Sequence, residues 1–190
     1  MLVYTKLQND FFNIFNAMDK IYKNGDFYMA EKCAKAIADY VYSGEVSTID
    51  SSTVYTGKGS GKMKINATLL KNAFVSTFSS KRSNRDFAIR IANDINTICT
   101  MTNTVETDSK GVIAPYGNFA EGKGYGKFSP TSNNIAIKLQ NCFNSMNSMK
   151  KNGNLYFAQE FAKVIDEYLK NGIISVTIPT LSASGEGKIS

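Results

Sequence analysis

Three times in this chain a Gly-x-Gly-Lys motif follows an apolar helical pattern marked by alanines: Gly59-Ser-Gly-Lys62, Gly124-Tyr-Gly-Lys127 and Gly185-Glu-Gly-Lys188. A unit of about 60 residues is too small to bury much surface alone, so copies within one chain are expected to share a core. The first and last stretches align closely. Lys6-Leu-Gln-Asn9 matches Lys138-Leu-Gln-Asn141, Phe27-Tyr-Met-Ala30 matches Leu155-Tyr-Phe-Ala158, and Ala34-Lys-Ala-Ile-Ala-Asp-Tyr40 matches Ala162-Lys-Val-Ile-Asp-Glu-Tyr168. Lys23-Asn-Gly is matched by Lys150 or Lys151 followed by Asn152-Gly153. The middle stretch is more diverged, with Ala92 and Ile95 opposite Ala34 and Ile37. The expected fold is therefore α+β and mainly helical, with three tandem helical-hairpin-plus-strand repeats over residues 1–63, 64–128 and 129–190.

Periodicity gives each stretch its elements. Leu7, Phe11, Ile14, Phe15, Met18 and Ile21 recur at spacings of three and four, as do Leu139, Cys142, Phe143, Met146 and Met149, which predicts amphipathic first helices. Asn-Gly supplies a positive φ between helices. Second helices follow, one over about 26–43, with apolar stripes Phe27, Ala30, Cys33, Ala34, Ile37, Val41 and Leu155, Ala158, Phe161, Ala162, Ile165, Leu169. Gly44 and Gly172 stop them. The alanines let paired helices approach closely. Thr/Val/Ile-rich runs at 46–49, 97–105 and 173–178 predict one strand each, and the Ser/Thr/Gly segments after them read as loops.

Composition removes several kinds of chemistry. The chain has no histidine, which excludes Ser-His-Asp and Cys-His nucleophiles and histidine-ligated metals. Cys33, Cys99 and Cys142 are far apart and fall within apolar helical patterns, so they read as buried thiols rather than disulfides or zinc ligands. The formal charge is +6, but its densest cluster, Lys81-Arg82-Ser83-Asn84-Arg85, holds only three cations, which argues against a nucleic-acid stripe and fits an acidic protein partner at least as well. No apolar run approaches the ~18 residues of a membrane span, and Met1-Leu-Val-Tyr-Thr-Lys6 lacks a signal peptide's apolar core; a soluble, cytoplasmic product is expected. The glycine motifs are not phosphate loops. No Ser or Thr follows Lys62, Lys127 or Lys188, and the third copy has no helix after it to open. They read as tight turns next to short edge strands.

These observations predict a protein that is not an enzyme and holds no cofactor or metal. Tyr40 and Tyr168, in equivalent places near the ends of second helices, are expected to form a repeated contact patch together with unpaired strand edges, while Lys62, Lys127 and Lys188 would meet an acidic partner. An intracellular repeat scaffold or adaptor, or a nucleic-acid-associated protein, are the alternative readings.

One further pattern runs from the second helix to the closing motif: Ala-Lys-x-Ile-x-x-Tyr, a glycine, a Val/Thr strand, then a Ser/Gly tract ending Gly-Glu-Gly-Lys-Ile-Ser190. Residues 161–190 carry it best and residues 30–63 repeat it. It resembles small virion structural proteins of tailed bacteriophages. The resemblance implies a particle component of the neck, tail or baseplate, made in the host bacterial cytoplasm and assembled with other virion proteins in a multi-subunit ring or tube.

Overall fold

The computed structural model describes residues 2–18, 20–21, 23–80, 82–131, 134–149 and 151–190; Met1, Lys81 and Lys150 of the sequence reading lie outside the described residues. Among the described residues six α-helices, α1 (Tyr4–Met18), α2 (Gly25–Ser43), α3 (Ala67–Phe78), α4 (Asn84–Cys99), α5 (Ile135–Met146) and α6 (Gly153–Asn171), pack as a closed ring in chain order, α6 returning to α1. Six strands, β1 (Val46–Ser51), β2 (Tyr55–Met63), β3 (Val105–Ile113), β4 (Asn118–Ser129), β5 (Ile173–Ile178) and β6 (Ala183–Ile189), form one closed antiparallel barrel, β6 pairing back with β1.

This corrects the expectation of a mainly helical fold made of tandem helical-hairpin-plus-strand repeats. The element order helix, helix, strand, strand does run three times along the chain, but each segment contributes two strands rather than one, and all six belong to a single sheet. The helix contacts between successive segments (α2 with α3, α4 with α5, α6 with α1) are more extensive than those inside each hairpin. The second strand of each segment was hidden by its glycines, which sequence rules assign to loops. Residues 97–99 are also corrected. They stay helical at the end of α4, because Ile95, Ile98 and Cys99 continue its buried face, and β3 starts only at Val105.

Why glycine-rich segments form strands is explained by the barrel's width. Alternate residues of β2, β4 and β6 face the lumen, and many are glycine. A Cβ on Gly61, Gly126 or Gly187 would lie 1.9, 1.9 or 1.8 Å from a backbone carbonyl oxygen of the neighbouring strand, at Glu106, Ser175 and Ser47 respectively. So the Gly-x-Gly-Lys motifs are strand interiors, not turns, and their second glycine lets two backbones come together. Gly44 and Gly172 follow the same logic. Both have extended backbones, but a Cβ at Gly172 would strike the Phe128 ring at 1.9 Å, and one at Gly44 would strike Ile189 at 2.6 Å. The positive φ between helices is held by Asn24 (57°) and Asn152 (62°), each one residue before the expected glycine.

The main core lies where the helix ring meets the barrel. Each strand sends one apolar side chain to that end, arranged as the register pairs Val46–Ile189, Met63–Val105 and Phe128–Ile174. Above them Ala30, Ala88 and Ala158, Ala34, Ala92 and Ala162, and Ile37, Ile95 and Ile165 line the inner faces of α2, α4 and α6, all essentially buried. A run of ring contacts joins Phe15 to Phe157 at 4.6 Å, Phe157 to Phe143 at 5.3 Å, Phe143 to Phe87 at 5.4 Å and Phe87 to Phe78 at 5.7 Å, linking α1, α6, α5, α4 and α3. Each fully buried Phe, such as Phe11, Phe74, Phe128 and Phe161, contributes about 1.5–3 kcal/mol, so this end dominates the stability of the fold.

Candidate docking surface

The predicted contact tyrosines are inside the protein. Tyr40 on α2 is buried, and its hydroxyl donates to Asp166 Oδ1 on α6 at 2.5 Å. Lys170, one turn further along α6, closes on the same carboxylate at 2.8 Å. Tyr168 on α6 is likewise buried and donates to Asn96 Oδ1 on α4 at 3.0 Å. Burial, and for Tyr40 also the Asp166 carboxylate, pushes both phenols above their ordinary range, so both remain hydroxyl donors. The two tyrosines hold neighbouring segments together around the ring. At the third such place, Ile98 stands where Tyr40 and Tyr168 do, and Ala38 where Asp166 and Asn96 do. Donor and acceptor are both replaced there, so no polar group is left unpaired.

The three lysines do not form one patch. Lys62 is half-buried and donates to the carbonyls of Gly44 (3.0 Å) and Ser43 (3.4 Å), at the C-terminus of α2, where its charge meets the negative end of the helix dipole. Lys127 and Lys188 point outward, exposed, from β4 and β6, opposite Ser175 and Ser47. Unpaired strand edges cannot serve along the closed sheet, because each strand has a partner on both sides. The three thiols are buried, and desolvation raises those of Cys99 and Cys142 to about 12 and that of Cys33 further still.

Below the apolar layer the lumen turns polar. Asp50 is buried, accepting from the Thr48 hydroxyl at 2.6 Å on Oδ1 and from the Ser109 hydroxyl on Oδ2. The Tyr55 hydroxyl lies 2.9 Å from Ser109 Oγ, and since Ser109 gives its proton to Asp50, Tyr55 is the donor there. Gly59 and Gly185 make room for this group, for a Cβ on Gly185 would lie 1.8 Å from Asp50 Oδ1. Tyr55, Ile178 and Ala183, packed with Ile113, Ala120 and Leu181, then plug the far end. Both carboxylate oxygens of Asp50 are thus engaged inside a filled lumen. The Ser109–Asp50 bond ties β3 to β1 across the lumen.

The far end of the barrel, away from the helices, presents large apolar groups to solvent. Ser52 Oγ accepts from the Tyr55 amide at 3.2 Å and shapes the β1–β2 turn, which holds Val54 outward. Ala114 N donates to Val54 O at 2.7 Å, tying that turn to the β3–β4 turn, where Gly117 takes φ +67°. Around these tied turns Val54 is 52% exposed, Tyr116 86%, Phe119 67%, Val112 45% and Ile49 74%. Val112 and Phe119 are directly opposite each other across β3 and β4. Sequence reasoning missed this surface. Its signal was Ala114-Pro-Tyr-Gly-Asn118 between two alternating segments, which marks a hairpin tip, and a Phe immediately beyond it on the alternation phase opposite to the inward glycines.

No family model, no curated protein and no solved structure matches this chain. Among the described residues no helix is long and apolar enough to cross a membrane.

Proposed function

We propose that the chain is a non-enzymatic structural subunit of a bacteriophage particle, of its neck, tail or baseplate, that acts by docking on other virion proteins through the far end of its barrel. The observation that carries the docking part is the exposed group Val54 and Tyr116, on two hydrogen-bonded turns, with Val112 and Phe119 on the strand ends beside them. Exposed apolar groups that stand together on ordered backbone, aromatics among them, are the kind of surface that partners cover. The phage setting comes from the sequence resemblance of residues 161–190 and 30–63. A ring or tube of subunits belongs to the same proposal, with contacts at the far end of the barrel instead of at Tyr40 and Tyr168. Quantitative mass spectrometry of particles purified from the source tests it: the chain is expected at a fixed copy number per particle, and its absence from washed particles would overturn the reading.

A further inference from the structure

We propose that the far end of the barrel takes a protein segment in which carboxylates flank apolar side chains, with Lys58 and Lys110 meeting the carboxylates and Val112 and Phe119 the apolar groups. This inference rests on reading the far end as a docking surface. It adds the chemical class of the partner.

The outer face of the barrel near this end has two rows. One runs across the strands as Ile49, Lys58, Lys110 and Glu121, and the next, nearer the tip, as Ser51, Thr56, Val112 and Phe119. Lys58 and Lys110 are therefore direct neighbours across β2 and β3, both exposed. Like charges directly opposite in an antiparallel pair are destabilising. Among the described residues neither lysine has a carboxylate within ion-pair distance, although Glu121 is Lys110's other cross-strand neighbour. The same outer face sets Lys62 opposite Glu106, Asp108 opposite Lys123 and Lys110 opposite Glu121, so Lys58 is the lysine of the pair with no carboxylate directly across either neighbouring strand. The lysine pair adjoins the exposed apolar group, since Val112 is two residues along β3 from Lys110 on the same face.

A cationic pair bordering a rigid apolar centre selects its partner by charge. A carboxylate bridging two lysines gains from both and relieves their mutual repulsion, while a cationic segment meets that repulsion again. Phosphate would suit the lysines as well, but Glu106, Asp108 and Glu121 share the outer face of β3 and β4, and the centre is apolar. A polyanion of nucleic acid would have to run past those carboxylates, whereas a protein segment with mixed side chains need not.

The test uses the full chain, labelled with nitrogen-15, and two synthetic peptides of one pattern, Phe and Leu alternating with Glu in the first and with Lys in the second. Anionic lipid vesicles and a single-stranded oligonucleotide are the other probes. The Glu peptide is expected to shift the amide resonances around Lys58, Lys110, Val112 and Phe119 and to bind at least about tenfold more tightly than the Lys peptide. The doubly reversed variant Lys58→Glu with Lys110→Glu is expected to invert the preference, with its amide spectrum otherwise unchanged as evidence of folding. Equal binding of both peptides, binding of neither, shifts elsewhere on the protein, or tighter binding of vesicles or oligonucleotide would each overturn the proposal. Finding the chain in particles while the Glu peptide fails would sink the acidic partner and leave the structural role standing. The reverse outcome would sink the phage role alone.

Discussion

The two ends of the barrel are made by the same alternation and come out opposite. At the helix end each strand turns a large apolar residue inward, and the six helices cover the opening, so that Val46, Met63, Val105, Phe128, Ile174 and Ile189 disappear from solvent. At the far end none of the six α-helices covers the opening, and only the single 3-10 turn Pro179–Leu181, between β5 and β6, packs there. There the lumen is closed by glycines, a hydrogen-bonded carboxylate and a small plug, and the large apolar residues Val112, Phe119 and Tyr116 face out. The difference separates two duties. The helix end supplies the burial that keeps the chain folded, and the far end, relieved of that duty, presents apolar surface that the fold does not need for itself.

The contrast can be broken most severely inside the barrel. Gly126→Ala places a methyl 1.9 Å from the Ser175 carbonyl oxygen, a clash with backbone that no rotamer relieves, and is expected to cost at least about 3 kcal/mol in urea unfolding. Gly117→Ala, at the far-end turn, meets nothing within 4 Å and is strained only by its φ of +67°. It is expected to cost about 1 kcal/mol. Equal losses from the two would show that the barrel is not held at the width described.

A smaller loss is expected at the helix ring. Ala162 is fully buried, so Ala162→Leu overpacks the ring and is expected to cost about 1–3 kcal/mol by the same measurement, whereas a change near zero would place the residue at the surface. Smaller again is Tyr168→Phe. It removes the hydroxyl that donates to Asn96 and leaves the ring in contact with Phe128, so about 1 kcal/mol is expected. An unchanged midpoint in thermal or urea unfolding would mean that this hydroxyl does not tie α6 to α4.

The contrast also shows what the sequence could reveal. The helical faces were legible because burial at spacings of three and four follows from helix geometry alone: Ala30, Ala34, Ile37 and Val41 are buried as that geometry requires, while Phe27 and Leu155, in the first turns of α2 and α6, are exposed, against the expected stripe. The strands after Ser52, Val105 and Asn118 were not, because local propensity treats glycine as a breaker, and only the closed barrel supplies the reason for it: neighbouring backbones too close for a Cβ. Tyr40 and Tyr168 were recognised as equivalent but read as an outward contact patch. Nothing local could tell that Asp166 and Asn96, on other segments, would provide them. The docking surface was missed for the complementary reason. Val112 and Phe119 alternate with Gly111 and Ala120 as core residues do, and which phase of a strand faces inward is decided by the sheet's closure.

The claim that docking is confined to the far end is tested most directly by the double variant Tyr116→Ser with Phe119→Ser. Both side chains are largely exposed, so the unfolding free energy should stay within roughly 1 kcal/mol of wild type. Co-sedimentation of the folded variant with particles assembled in its presence is expected to fall at least about tenfold, the effect of losing two central aromatic contacts. Incorporation at the wild-type level by a variant of wild-type stability would contradict the account and move the contact surface to another part of the molecule.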